Sequence, residues 1–269
     1  MSEQTAHPHS APTTGRVAAL YRYPVKGLSP DTLTSVPLKV GATLAFDRAY
    51  AIENGPSPFD PADPKHLPKM HFVMLMRNEQ VAGVRAAFDD TTHALTLTKD
   101  GAELARGDLR SAIGRAAIET AIADLVGPGM RGSARIVSAP DHSFSDVAAK
   151  CLHIINLESV RALERKLGTA INPLRFRPNV IVDGLPAWSE FDWVGGLLSA
   201  GKAALEVFKR TERCAATNVD PETGVRDLKI PSFLSRTYGH TDFGVYARVV
   251  SSGILETGDA VRRVGSPIA

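Results

Sequence analysis

Short β-prone runs cut by turn signals fill most of this chain, and that pattern restricts it to a mainly-β or α+β fold. Arg16 to Tyr23, Leu33 to Leu38, Ala45 to Glu53, Phe72 to Arg77, Val81 to Phe88 and Ala94 to Lys99 carry β-branched or aromatic residues between turn formers. Further runs follow at Ala134 to Ser138, Cys151 to Ile155, Asn179 to Val182, Gly201 to Phe208, Val245 to Val250 and Ala260 to Val264. Two segments have helical periodicity. Ser111 to Val126 carries Ile113, Ile118, Ile122 and Leu125 and stops at Gly127-Pro128-Gly129. The second begins at Asn156 as N-cap, aligns Leu157, Val160, Leu163 and Leu167 on one face, and ends at Gly168. No βαβ alternation is read, which argues against a doubly wound sheet. Asn54 to Pro68 holds Pro56, Pro58, Pro61, Pro64 and Pro68 and reads as a long loop, either a lid or an inert connection.

The chain has 269 residues, enough for one large domain or two ordinary ones. Hydrophobic residues make up 43% and charged residues 22%, so a sizeable core can form. A net charge of +2 gives no electrostatic footprint for nucleic acid. Met1 to Thr14 is polar and rich in Pro, Ser and Thr, and is expected to be a disordered tail in which His7 and His9 are solvated. It lacks the apolar region of a secretory signal, and no apolar run has the length of a membrane span. Cys151 and Cys214 are too few for a disulfide framework, which suits a reducing compartment. The expected location is cytoplasmic, with no membrane or nucleic-acid partner.

Cys214 is the foremost candidate for chemistry. It follows the strand-like run Ala204 to Lys209 and precedes an Asp-Pro turn, so it stands at a strand end where a thiol can face a cavity. Arg210 and Arg213 are close in sequence, and nearby cations favour the thiolate, a soft ligand for thiophilic metals. Cys151, inside an apolar strand, reads as core. Arg48 interrupts a strand-like stretch and needs an anionic partner if it faces inward. Arg175 and Arg177 share parity on an extended segment and can face one cavity, where their guanidinium forks match phosphate oxygens. His240 reads either as a proton donor beside a reacting group or as an ordinary loop histidine.

Five ordered blocks carry a resemblance to a known family. Arg213-Cys214, Thr217, Val219-Asp220-Pro221 and Thr223-Gly224 resemble the signature of MOSC domains, named after the C-terminal domain of molybdenum cofactor sulfurases. Leu174 to Val182, and Phe243 to Ala247 with Gly258 to Val261, resemble that domain's Arg-Phe-Arg-Pro-Asn strand and closing hairpin. Tyr23-Pro24-Val25-Lys26-Gly27 and Phe46-Asp47-Arg48-Ala49-Tyr50 resemble the β-barrel domain that precedes MOSC in the amidoxime-reducing components. The resemblance implies an N-terminal barrel-like domain over 15–130 with a connecting helix, and a MOSC barrel with peripheral helices over 131–269.

It further implies a molybdenum cofactor, a pterin with a dithiolene and a terminal phosphate. Cys214 would ligate the metal, and Lys26, Arg48 and Arg177 match residues that contact the cofactor in the relatives. Arg175 and Arg213 join this set from the motif blocks. Asn179 and Thr217 either hydrogen-bond the pterin or brace the loop, and Asp220 is read as structural. Two positions depart from the pattern: Gly27 replaces a serine and Asn218 a threonine. The implied activity is reduction of a small N-hydroxylated substrate. No iron–sulfur, haem or flavin motif is read, so electrons are expected from a separate protein of ferredoxin, cytochrome b5 or flavoprotein type. Two other roles use the same residues or fewer: a sulfur or cofactor carrier with a Cys214 persulfide, and a cofactor-free interaction scaffold.

Overall fold

Residues 13–265 are described by a computed structural model; of the expected tail, residues 1–12 with His7 and His9 lie outside the described residues. The chain runs β1 (Thr14–Arg22), β2 (Asp31–Leu33), β3 (Ser35–Leu38), β4 (Ala51–Asn54), β5 (Arg85–Phe88), β6 (Ala94–Lys99), β7 (Ala102–Asp108), α1 (Ala112–Val126) and β8 (Ala134–Val137). It continues through β9 (Leu152–Asn156), α2 (Leu157–Leu167), β10 (Val180–Asp183), β11 (Gly196–Ala200), β12 (Ala203–Glu212), α3 (Ile230–Tyr238), β13 (Asp242–Ser251), β14 (Gly253–Glu256) and β15 (Ala260–Gly265).

Seven strands close into a barrel in the order β10, β9, β13, β12, β11, β15, β1 and back to β10. The closing strand is β1, which pairs antiparallel with β10 from Arg16 to Leu20 and with β15 from Thr14 to Arg16. Its inward residues, Val17 and Leu20, join Val180, Val182, Leu205, Val207, Val245 and Val261 in the barrel interior. β12 alternates between the two faces, as a strand with one solvated side should. β9 is buried at every position because α2 and α3 cover its outer face, where Ile155 packs with Val160, Leu163, Ile230 and Leu234. β9, α2 and β10 form one parallel βαβ unit. The sequence places this strand, helix and strand in order but does not pair the two strands, because pairing between strands leaves no mark in either one. A doubly wound sheet is still absent among the described residues.

A second body is built from residues 44–137. β4 pairs with β8, β5 to β7 form a three-stranded sheet, and α1 covers a core of Ile52, Val73, Leu95, Leu97, Ile118 and Ile122. The expected first barrel over 15–130 therefore takes another form: the closed barrel is the later one, and it recruits β1. Likewise β3 pairs with β14, so residues 14–38 lie with the second half of the chain, and no single cut near residue 130 separates the two bodies.

Local expectations hold best where caps act. The Ser111 hydroxyl accepts from Gly114 N, and the Asn156 side chain accepts from Glu158 N. They fail where side chains look strand-like but the backbone turns. Phe46 and Arg48 have φ of 61° and 53°, so strand geometry begins only at Ala51. Phe72 makes one bridge to Glu53 before the chain turns, and Glu79–Gly83 is a 3-10 turn. The Pro-rich loop is pinned by Phe59, buried beside the rings of Phe144 and His142.

Glu190 is 0% exposed; one carboxylate oxygen accepts from Ser159 Oγ at 2.8 Å, while the other has no partner. Burial raises its carboxyl from 4.5 to about 7. A raised acid costs no stability below pH 4.5 and an increasing amount as pH rises towards 7. Glu190→Gln should therefore be increasingly stabilising relative to wild type across that interval, reaching of order 2–3 kcal/mol above it. Thermal unfolding of both proteins from pH 4.5 to 8 checks this; a pH-independent difference would assign the titration elsewhere.

Candidate functional site

A cavity of about 280 Å³ opens where one end of the barrel meets the second body. The barrel contributes His153, Asn179, Lys209, Cys214 and Tyr246. Lys26, Gly27, Asp47 and Arg48 enter from the segments after β1 and before β4, and Met74 to Met76 form the facing wall. Ser145 to Val147 complete the rim, whereas the Pro-rich loop supplies none of the lining residues and so is no lid over this cavity. Cys214, Lys26, Arg48, Arg175, Arg177, Asn179 and Arg213 all reach the lining; Thr217, Arg210 and His240 do not.

Each charged group is held by identifiable partners. Lys26 Nζ donates to Phe144 O at 2.8 Å and to the Asp146 carboxylate. Burial lowers the Lys26 pKa, with Arg48 and Arg177 adding to that effect and Asp146 opposing it. Burial disfavours the Asp146 anion, but Lys26 outweighs it and holds that carboxyl well below its usual range. Arg48 bonds Asp47, and Arg177 Nη1 donates to Leu28 O at 2.9 Å. Both guanidinium groups lie over Tyr23, 4.4 and 4.2 Å from its ring centroid. Burial, with the neighbouring Arg48, brings Arg177 down to about 10. Arg213 Nη2 donates to Phe176 O at 2.7 Å, and its pKa is also lowered by burial.

The cavity is cationic: seven Lys and Arg side chains line it against three Asp and Glu. Arg175 Nε, Arg177 Nη2 and Arg213 Nε are buried without a protein acceptor. Buried donors without partners call for an explanation, and oxygen atoms of an anionic ligand provide one. Among the described residues no group of three or more His, Cys, Asp or Glu side chains forms a metal cage. A metal here would take its protein ligand from a single thiol and the rest from a cofactor. Two thiols line the cavity, and they differ. Burial pushes Cys151 up to about 12, so it stays a thiol, whereas Cys214 is partly exposed. These residues fit a phosphate-bearing group that carries a soft metal.

Several expected roles change with the backbone. The parity argument for Arg175 and Arg177 fails, because Pro173–Phe176 is a 3-10 turn and Arg177 is left-handed at φ 51°. Arg175, 3% exposed, donates to Asp220, Asp227 and the Asn218 carbonyl, so its fork fixes the cysteine loop. Asn179 spans Asp47, Tyr21 O and His153 N, and the Thr217 hydroxyl donates to Cys214 O at 2.9 Å. Both therefore brace the site. Asp220 caps Glu222 N and Thr223 N, as read. The Arg210 guanidinium lies over Phe191, and His240 Nδ1 accepts from Asp242 N. Gly27 has φ 89°, and a Cβ there would lie 2.8 Å from Val73 O, which accounts for the missing serine.

Sequence reasoning missed His153, Asp146 and Tyr246. Burial, reinforced by Arg213, holds His153 well below the usual histidine range, so its imidazole is neutral. Tyr246 stood inside a recognised block, and strand alternation from Phe243 offered a signal for its orientation. Asp146 lies in an irregular segment with no pattern to mark it.

Replacing Arg175 by Met should cost roughly 2–3 kcal/mol, below the usual figure for a broken buried pair because Asp227 is half-exposed. Urea unfolding measures the loss, and pyrophosphate affinity should be retained. Intact stability with lost pyrophosphate binding would return Arg175 to the ligand-binding set.

A MOSC domain matches residues 139–262, which include β9 to β14 and half of β15 but leave out the closing strand β1. The mitochondrial amidoxime reducing component 2 of Rattus norvegicus is 31% identical over 125 residues, covering 42% of this chain and 36% of that protein. Its Macaca fascicularis counterpart is 29% identical over 148 residues, covering 50% of this chain and 44% of that protein. The matches thus span less than half the length of these relatives. Among solved structures, the YUAD protein from Bacillus subtilis aligns over 95% of this chain and 97% of its own, at 14% identity and a TM-score of 0.45. Residues 139–262 thus match a MOSC domain, and the chain is similar over part of its length to the mitochondrial amidoxime-reducing components.

Proposed function

We propose that this protein binds a molybdenum cofactor in the cavity, with Cys214 as metal ligand, and reduces small N-hydroxylated compounds such as amidoximes or hydroxylamines. The observation that carries this reading is one partly exposed thiol in a cavity whose cations outnumber its acids. The names of the relatives, amidoxime-reducing components, support the choice of substrate class. When bound, the cofactor would supply the two-electron redox chemistry.

The chain supplies the rest. Arg177 and Arg213 offer unpaired donors to cofactor oxygens, while Lys26 and Arg48 add charge from the segments after β1 and before β4. Thr217 holds the backbone of Cys214, leaving the thiol to the cavity. His153 is neutral, so it can hydrogen-bond without adding to the positive charge around the ligand. Electrons would come from a separate protein of ferredoxin, cytochrome b5 or flavoprotein type.

Protein purified from a cofactor-producing host should contain molybdenum and reduce benzamidoxime with reduced viologen as donor. Cys214→Ser should stay folded and lose most of this activity; wild-type turnover in that variant would remove Cys214 as the essential ligand. Arg177→Ala should lose cofactor roughly tenfold more readily on dialysis, the expected cost of one charge-assisted hydrogen bond. Equal retention would contradict the site. No turnover at full molybdenum loading, with sulfane sulfur passing from Cys214 to an acceptor protein, would favour the carrier.

A further inference from the structure

Arg226 belongs to none of the motif blocks read as cofactor contacts, yet it joins the two walls of the cavity. Its Nη1 donates to Ala215 O at 3.1 Å, one residue past Cys214. Its Nη2 lies 2.9 Å from Leu75 O, 2.7 Å from Met76 O and 3.0 Å from Glu79 Oε2. Leu75 and Met76 line the same cavity as the cysteine. Nη2 carries two hydrogens and has three acceptors, so at least one hydrogen is shared, an arrangement a planar guanidinium allows and a single ammonium on a flexible stem does not reproduce.

The segment that carries Arg226 is itself rigid. Val219 and Arg226 form an antiparallel bridge, Asp220 N donates to Val225 O, and Gly224 N donates to Asp220 O. Gly224 has φ 74°, and a Cβ on it would stand 3.0 Å from Glu79 O, so the turn is pressed directly against the 3-10 turn Glu79–Gly83. Thr217 continues this frame back to the Cys214 carbonyl. A shift of Arg226 would therefore be passed to the cysteine through one closed loop.

We propose that Arg226 is a positioning residue that fixes the separation between the Cys214 loop and the Met74–Met76 wall, and so sets the size of reagent or ligand that can reach the thiol. This assignment needs no particular occupant of the cavity, so its failure and that of the cofactor reading are distinguishable.

The test uses the full chain purified from a host unable to make the pterin cofactor. Cys214 is labelled with N-ethylmaleimide and with a bulky polyethylene-glycol maleimide, and the Cys151 and Cys214 peptides are read separately by mass spectrometry. Arg226→Ala should raise the bulky-to-small rate ratio at Cys214 by about tenfold or more, the scale of losing at least one charge-assisted bond, and leave Cys151 unlabelled. Arg226→Lys should fall between wild type and Ala, and Glu79→Gln, which keeps the carbonyl bonds, should stay near wild type. If the Ala variant does not fold, the Lys and Glu79→Gln variants still rank the effect. An unchanged size ratio in a folded Arg226→Ala, or in Arg226→Lys where Ala is unfolded, would overturn the proposal.

Discussion

The cavity exists because β1 closes the barrel. Leu20 pairs with Val180, and Tyr21 N donates to Asn179 O at 2.8 Å, so the two segments that leave this end of the barrel emerge side by side. One carries Tyr23 to Gly27 and the other Arg175 to Asn179. Lys26 and Arg177 thus line one space although β2 to β9 lie between them in the chain. Arg48 N donates to Tyr23 O and Lys26 N to Tyr50 O, which hangs the second body on the same segment. Loss of β1 would open the sheet and separate the cations with no change in any of them.

Bringing like charges together has a cost that the protein offsets only in part. Asp47 accepts from Tyr23 N and Asn179 Nδ2 while pairing with Arg48, and Asp146 pairs with Lys26. The Tyr23 face takes both guanidinium groups, an arrangement in which a ring quadrupole moderates repulsion. Lys26, Arg177 and Arg213 nevertheless all have lowered pKa values, the mark of cations held against burial. An anion that enters relieves this imbalance, so occupancy and folding stability are linked, and the empty protein is the less stable one.

The sequence revealed what is local. Asn156 marked a helix start through its own side chain, and turn signals bounded the strand-like run that became β12. Cys214 and the cation set were legible because motif blocks brought them together on paper before the fold did so in space. What was not legible depends on distant partners or on backbone sign. Nothing near β1 announces β10 or β15, and nothing in the strand-like side chains of Phe46 to Tyr50 announces two positive φ angles. Helix α3 follows a turn-rich stretch and has Pro231 in its first turn, which a helix start tolerates and a periodicity scan discounts.

Arg175 and Arg226 show why residue type alone misassigns such a site. Both are arginines near Cys214, and either could be counted among phosphate ligands. Arg175 spends its donors on Asp220, Asp227 and Asn218 O, inside the loop that bears the cysteine. Arg226, outside the lining, ties Ala215 O in the cysteine loop to Leu75 O, Met76 O and Glu79. One stiffens the cysteine loop and the other fixes where that loop stands. By contrast Arg177 and Arg213 pair with no carboxylate among the described residues, although Arg175, like both of them, keeps one buried donor without a protein acceptor. What separates a ligand-binding arginine from a scaffolding one here is the charge left without a carboxylate, and that follows from the fold rather than from the motif.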